Sequence, residues 1–310
     1  MRGVRSTAEG IRVVDTDVAE PGGVRVRVTH SGICGSDLRL AAFGPSPITL
    51  GHVFCGRLDD GTPVAVLPMV ACGRCDRCRA GNDQQCSQAL GAMYGVSRDG
   101  GLADQVWVDP TCARVVDDPA CFDHANLVEP VAVALHGVHR SGLVSGSRAL
   151  VIGAGPIGLC AIAVARALGA EVDLLARRPT RIAAGERLGA STALGRDYEV
   201  VLEAAGTQDS LDRAIRLVRP GGTVAVLGSF WDPVSIGVSL QMKEVTLVPS
   251  FTYGHHHGTS EFDEAIRLLA AAPELGPTLV THHFALEDAA EAFRVVGDRS
   301  SDAIKVVVHP

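Results

Sequence analysis

The chain has 310 residues, 46% of them hydrophobic, and a formal net charge of −7. That is long enough for two domains or one large one, and too apolar for a disordered chain. No block of Lys or Arg occurs, which argues against a nucleic-acid or anionic-membrane surface, and no signal core or run of 18 apolar residues is read that would mark export or a membrane span.

From Arg12 to about Val116 the pattern is short strands separated by Gly and Pro, with little helical periodicity. Val24-Arg-Val-Arg-Val28 alternates with period two, as a half-buried strand does. Val64–Leu67 and Ala103–Val108 read as further strands of an all-β unit. Within this unit lies Cys72-Gly-Arg-Cys75-Asp-Arg-Cys78, followed by Cys86. Four thiolates in a polar loop that has no apolar residues of its own can close a tetrahedron around a structural Zn²⁺, which would serve as the core of the loop. An iron–sulfur cluster or free thiols are the alternatives. Nine cysteines in all, with four this closely spaced, do not fit a secreted disulfide framework. The expected setting is a reducing cytoplasm.

From Ala125 to Ala272 strands and helices alternate, which means a parallel, doubly wound sheet. The strand Ala149–Ile152 runs through Gly153, Gly155, Pro156, Ile157 and Gly158 into an Ala-rich helix that ends at Gly169. A second strand, Glu171–Ala176, follows. The first glycine allows a tight turn, the second lets a pyrophosphate approach the backbone, and the third lets helix and strand pack closely. Free N–H groups at the helix start then hold the phosphates. A Gly-rich turn with no ligand is the plainer reading, but the strand–turn–helix–strand context is what a dinucleotide site requires. The tail returns to β character at Ile304–Val308.

Upstream of the four cysteines stand Gly32-Ile-Cys34-Gly-Ser36-Asp37 and Gly51-His52, and downstream Asn126-Leu-Val-Glu129-Pro. With the four-Cys lobe, the Gly-rich turn, Arg219-Pro-Gly-Gly222 and Leu279-Val-Thr-His-His-Phe284, they span nearly the whole chain. Together they resemble the zinc-dependent medium-chain dehydrogenase/reductase family, particularly its sorbitol- and threonine-dehydrogenase-like branch. The resemblance implies an α/β fold in two domains. A GroES-like β-barrel catalytic domain covers residues 1–122 and is completed by the tail 273–310. A Rossmann dinucleotide-binding domain covers 123–272.

It also implies a catalytic Zn²⁺ on Cys34, His52 and Glu129, giving two zinc ions per subunit, with an open fourth position for water or substrate. Ser36 matches the hydroxyl that passes the alcohol proton outward, and Asp37 the carboxylate that orients the His ligand. A turn residue and a helix N-cap are their structural alternatives. Two positions depart from the pattern. Val53 stands where most relatives carry a Glu that can ligate zinc, and Arg39 stands where many carry a relay His. Arg39 cannot take up a proton at working pH, so the proton leaves by water, or Arg39 holds a substrate group instead.

NAD-binding units place Asp or Glu at the end of the second strand. Here that position is Ala176, followed by Arg177 and Arg178, which can pair with a 2′-phosphate, so NADP(H) is favoured over NAD(H). Asp173, inside the strand, is a weaker substitute. Gly254-His-His-His-Gly258 is not read as a metal site, because consecutive side chains do not converge on one ion. His282 and His283 are expected to be packing residues.

The expected reaction is hydride transfer between a secondary alcohol of polyol, cyclitol or amino-alcohol type and NADP(H). One alternative is a reductase of an activated C=C or C=N bond with a structural zinc only. Another is a non-enzymatic NADP(H)-binding zinc protein. The expected partners are a small-molecule substrate and further copies of the chain, as a homodimer or homotetramer, with no nucleic acid and no membrane.

Overall fold

In a computed structural model, which describes residues 1–16, 22–298 and 300–310, the chain divides by its internal contacts into two units. One is Met1–Glu129 with His257–Pro310, the other Pro130–His256. The sequence reading places its limits at residues 122 and 272.

The first unit opens with a hairpin, β1 (Arg2–Thr7) and β2 (Gly10–Asp15). In β3 (Val24–Gly32), Val26 and Val28 are buried and Arg27 is exposed, as the alternation requires. Arg25 and Arg27 both reach Asp59, at 2.6 and 3.4 Å. Next come α1 (Gly35–Ala42), β4 (Phe54–Arg57), β5 (Pro63–Val66) and α2 (Asp76–Arg79). β6 (Gln105–Val108), β7 (Ala113–Val115) and α3 (Pro119–Phe122) complete this stretch. The helix α1 was not legible in a segment read as almost wholly β. Its eight residues bury only Asp37 among them, so no apolar stripe announces it.

The chain passes into the second unit within α4 (Val128–Arg140). There follow β8 (Arg148–Ile152), α5 (Pro156–Ala167), β9 (Glu171–Leu175), α6 (Pro179–Arg187) and β10 (Tyr198–Glu203). Then come α7 (Gln208–Leu217), β11 (Val218–Val226), α8 (Ser239–Met242) and β12 (Thr246–Pro249). The five strands form one parallel sheet in the order β12-β11-β10-β8-β9. The four apolar residues of β8 are all buried, and α5 is buried continuously from Gly158 to Ala165. Strand order reverses at β8, and ligands of such sheets bind outside the carboxyl ends of strands at that reversal. The Gly-rich turn sits there. Beyond β9, Ser191 makes a single parallel bridge to Asp173.

The return begins with the two-residue strands β13 (His255–His256) and β14 (Thr259–Ser260). It continues through α9 (Glu261–Ala271), α10 (Leu275–Leu279), β15 (Val280–Ala285), α11 (Ala289–Gly297) and β16 (Lys305–His309). The first unit's sheet has seven strands in the order β15-β16-β3-β4-β5-β7, with β6 also paired to β3. The tail is thus an interior part of this unit. Leu286, Phe293, Val306 and Val308 share one core with Val4, Ile33, Leu50 and Leu102.

The glycines of the turn separate packing from binding. A Cβ on Gly158 would overlap the Gly153 carbonyl oxygen, whereas one on Gly155 would meet nothing within 4 Å. Gly158→Ala is therefore expected to cost about 1–3 kcal/mol of stability, as overpacking does. The measurement is the thermal unfolding midpoint by circular dichroism, which Gly155→Ala should leave unchanged.

Candidate active site and metal centres

Cys34 lies at the N-cap of α1, and two backbone bonds fix the approach to it. Gly32 N–H donates to the Val53 carbonyl at 2.7 Å, and Ile33 N–H donates to the Val306 carbonyl at 3.0 Å. The first of these binds the Cys34 segment to the residue that follows His52. Asp37, fully buried, accepts a bond from the Cys34 backbone N–H at 2.8 Å through one oxygen. Its other oxygen lies 3.3 Å from His52 Nδ1. The same carboxylate ties down the start of α1 as the third residue of a capping box whose N-cap is Cys34, so Asp37 is not itself the N-cap, and its second oxygen faces the imidazole. Ser36 Oγ is 3.1 Å from His52 Nε2, the nitrogen that Asp37 leaves for a metal.

Burial and neighbouring charges act against each other in this cluster. Burial would raise the Cys34 thiol, but the hydrogen bond and charge of His52, with Lys305, pull it down to about 6. Burial would lower His52, but Asp37 and Cys34 raise it well above its ordinary value. Burial pushes Glu129 up to about 7; His52 opposes this, Cys34 reinforces it, and Lys305 opposes it. Cys34, His52 and Glu129 thus lie in one buried neighbourhood, with Asp37 and Lys305 as the charges around them.

Lys305 was read only as a strand residue. It is 3% exposed, and it presses on Gly32, where a Cβ would lie 2.5 Å from its Cε. Asn126 was quoted only as part of a motif; it is buried, with both side-chain polar atoms lacking a hydrogen-bond partner. A Lys in an otherwise apolar strand was the one available signal for the first. For the second there was none. Val53 is fully buried and brings no donor to the cluster. Arg39 is exposed, in the last turn of α1.

The four cysteines meet as their spacing predicts. The donor atoms of Cys72, Cys75, Cys78 and Cys86 all lie within 4.8 Å of one another. Cys75 and Cys78 sulfurs are 3.4 Å apart, and those of Cys72 and Cys78 are 3.9 Å apart. Tetrahedral zinc with Zn–S of about 2.3 Å needs about 3.8 Å between sulfurs. The lobe therefore fits a zinc ion. Among the described residues it is the only group of three or more His, Cys, Asp or Glu side chains that closes to that spacing. The Cys34, His52 and Glu129 set fits a catalytic zinc in donor chemistry, with its donors spread wider.

In the second unit the cradle fits a dinucleotide. Gly153 has φ of 103°, a conformation that favours glycine, and open space stands over Gly155 at the N-cap of α5. Pro156 occupies the first turn, Ile157 follows it, and no side chain caps the helix, so its free N–H groups remain for phosphate. Past the end of β9, Arg177 is exposed and Arg178 is the N-cap of α6. The Asp173 carboxylate accepts the Tyr198 hydroxyl at 2.5 Å and the Gly195 N–H at 3.4 Å. It is committed to that contact rather than to a ribose.

Comparison with known proteins agrees with this construction. Residues 20–118 match the alcohol dehydrogenase GroES-like domain family, and residues 156–271 match the zinc-binding dehydrogenase family. The chain is 31% identical over 332 residues to L-arabinitol 4-dehydrogenase of Aureobasidium melanogenum, covering 93% of this chain and 87% of that one. It is 29% identical over 315 residues to L-galactonate-5-dehydrogenase of Escherichia coli strain K12, covering 91% and 90%. A crystal structure from Sinorhizobium meliloti 1021, described as that of a zinc-binding dehydrogenase bound to NADP, superposes with a TM-score of 0.87 at 29% identity. It covers 100% of this chain and 99% of that one.

A GroES-like unit joined to a dinucleotide-binding parallel sheet defines a medium-chain dehydrogenase. This chain belongs to the zinc-dependent medium-chain alcohol dehydrogenase family and is an oxidoreductase acting on CH–OH groups. No helix among the described residues is long and apolar enough to cross a membrane.

Cys75→Ser is expected to lower the zinc content by one ion per subunit, read by atomic absorption. It should also open residues 72–86 to proteolysis, because the four thiolates join both ends of that segment at one point.

Proposed function

We propose that this chain transfers hydride between a secondary alcohol of polyol, cyclitol or amino-alcohol type and NADP(H), using one catalytic and one structural zinc. The observation that carries the reading is the Asp37–His52–Cys34 arrangement, with buried Glu129 beside it. An anionic thiolate, an oriented imidazole and a carboxylate are the donor set of an open zinc site. Such an ion, when bound, supplies a Lewis acid for an alcohol or carbonyl oxygen.

The chain's own residues do the rest. Asp37 holds His52 by Nδ1 and so presents Nε2 outward. The Ser36 hydroxyl, now on Nε2, becomes free to take the alcohol proton once that nitrogen has another partner. The exposed guanidinium of Arg39 receives no proton. Either it orders the water that does, or it binds a hydroxyl or anionic group of the substrate. Relatives named for an alditol and a sugar acid support the polyhydroxylated class.

Arg177 and Arg178, the absence of an acid at Ala176 and the engagement of Asp173 support NADP(H) over NAD(H). The edge strand β12, with exposed Trp231, Ile236, Val238, Met242 and Phe251 in the surrounding segment, supports a homodimer or homotetramer. Thiolates that must stay reduced to hold zinc support a cytoplasmic setting.

Zinc per subunit, for wild type and Glu129→Ala, tests the centre. Two ions falling to one is the expected result. One ion in both would fill only the four-cysteine lobe and favour the C=C or C=N reductase, for which the wider spacing of the second donor set already speaks. For the cofactor, Arg177→Ala with Arg178→Ala is expected to lower NADP⁺ affinity about tenfold or more, as loss of charged hydrogen bonds does, and to leave NAD⁺ affinity unchanged. Tryptophan fluorescence titration with each nucleotide reads both.

A further inference from the structure

Three histidines far apart in sequence meet on one face of the seven-stranded sheet. β16 pairs with β3 in the register Val308↔Ser31, which sets His309 opposite His30. β16 also pairs with β15 in the register His283↔Val307 and Ala285↔His309. Side chains at alternate positions of neighbouring strands share a face, so His30, His309 and His283 form a row across three strands. The His283 and His309 rings lie 5.1 Å apart at 25°, with Nδ1 of the first 2.8 Å from Nε2 of the second. The His30 ring is 4.9 Å from that of His309. None of these residues has a part in the chemistry above, and His283 is exposed instead of packed.

The hydrogen bonds fix the protons. His309 Nδ1 lies 3.2 Å from the Thr29 carbonyl oxygen, which can only accept, so Nδ1 carries the hydrogen and Nε2 the lone pair. An imidazole held through one nitrogen by a backbone carbonyl, with the other turned outward, is the usual posture of a metal-binding histidine. His30 is held in a similar way, its Nδ1 3.0 Å from Thr29 Oγ1.

We propose that His283 and His309, with His30 beside them, form a surface site for a divalent transition-metal ion, distinct from the four-cysteine lobe and from the Cys34–His52 centre. Metal–nitrogen bonds of about 2.0–2.1 Å in tetrahedral geometry set the two nitrogens about 3.3 Å apart. The pair therefore opens by a few tenths of an ångström, and His283 shifts its hydrogen to Nε2. All-imidazole donors suit zinc, copper and nickel, and exclude calcium and magnesium. The His30 and His309 rings are held neutral, as ligands must be. Burial, then His309, lowers His30 to about 4, and burial, then His283, lowers His309. Asp123 supplies a negative charge nearby. A bound ion would staple β15 to β16 and stabilise the fold by mass action.

The test is calorimetric titration of the untagged, zinc-loaded protein with Ni²⁺. It compares wild type, His283→Gln, His309→Gln, and a His255→Gln/His257→Gln control that removes the consecutive histidines. Wild type and control are expected to bind nickel alike. The affinity should fall about ten- to a hundredfold in either ladder variant. Nickel should raise the thermal midpoint of wild type and control and not of His283→Gln, whose side chain is exposed and whose circular dichroism verifies the fold. No nickel binding by wild type, equal binding by all four proteins, or loss confined to the control overturns the proposal.

Discussion

The placement of β16 between β15 and β3 is the constraint on which the first unit depends. The last strand of the chain closes the sheet around one of the first. Its Val306 carbonyl takes the Ile33 N–H, one residue before Cys34, while Val53, one residue after His52, takes the Gly32 N–H. The segment carrying the thiolate is thus pinned from both sides, by the tail and by the neighbour of the imidazole. Ladder bonds of this kind contribute only about 1 kcal/mol each, but breaking them inside a core leaves buried groups unpaired. The position of the Cys34 segment is therefore set by backbone bonds from two sides.

Charge balance explains how so polar a cluster tolerates burial. Isolated ionised groups are costly in a low-dielectric interior, and here Cys34, Asp37, His52, Glu129 and Lys305 stand together. In the proposed site a thiolate and a carboxylate would offset a divalent ion, with Asp37 and Lys305 as further charges of opposite sign. A further Glu at the position of Val53 would add one negative charge with nothing to answer it. Valine there, fully buried, lets packing replace a ligand. Lys305 also explains Gly32, since any side chain at that position would displace the ammonium's own stem.

What was legible in the sequence was local. The four thiols lie within one short loop, so their spacing alone brings the sulfurs together. The Gly-rich turn needs only a strand before it and a helix after it, and both stand within a residue or so of where the pattern put them. Asp37 acts three residues from the Cys34 N-cap it bonds, a local contact, although the sequence reading offered Asp37 as the N-cap itself. In each case the chain is too short between the partners for tertiary structure to intervene.

What was not legible depends on register. Lys305 and Cys34 are near each other only because β16 enters the sheet beside β3, and no periodicity in either segment announces that pairing. His283 and His309 meet by the same insertion. A one-residue slip of β16 would turn His309 to the other face and take Lys305 from the cluster, because strand side chains alternate. The apolar Val306 and Val308 forbid that slip, being buried with Ile33, Leu50 and Phe293 in the core. The hydrophobic half of this strand thus fixes the position of its polar half. The site and the histidine row are two readouts of one packing decision, made far from either in sequence.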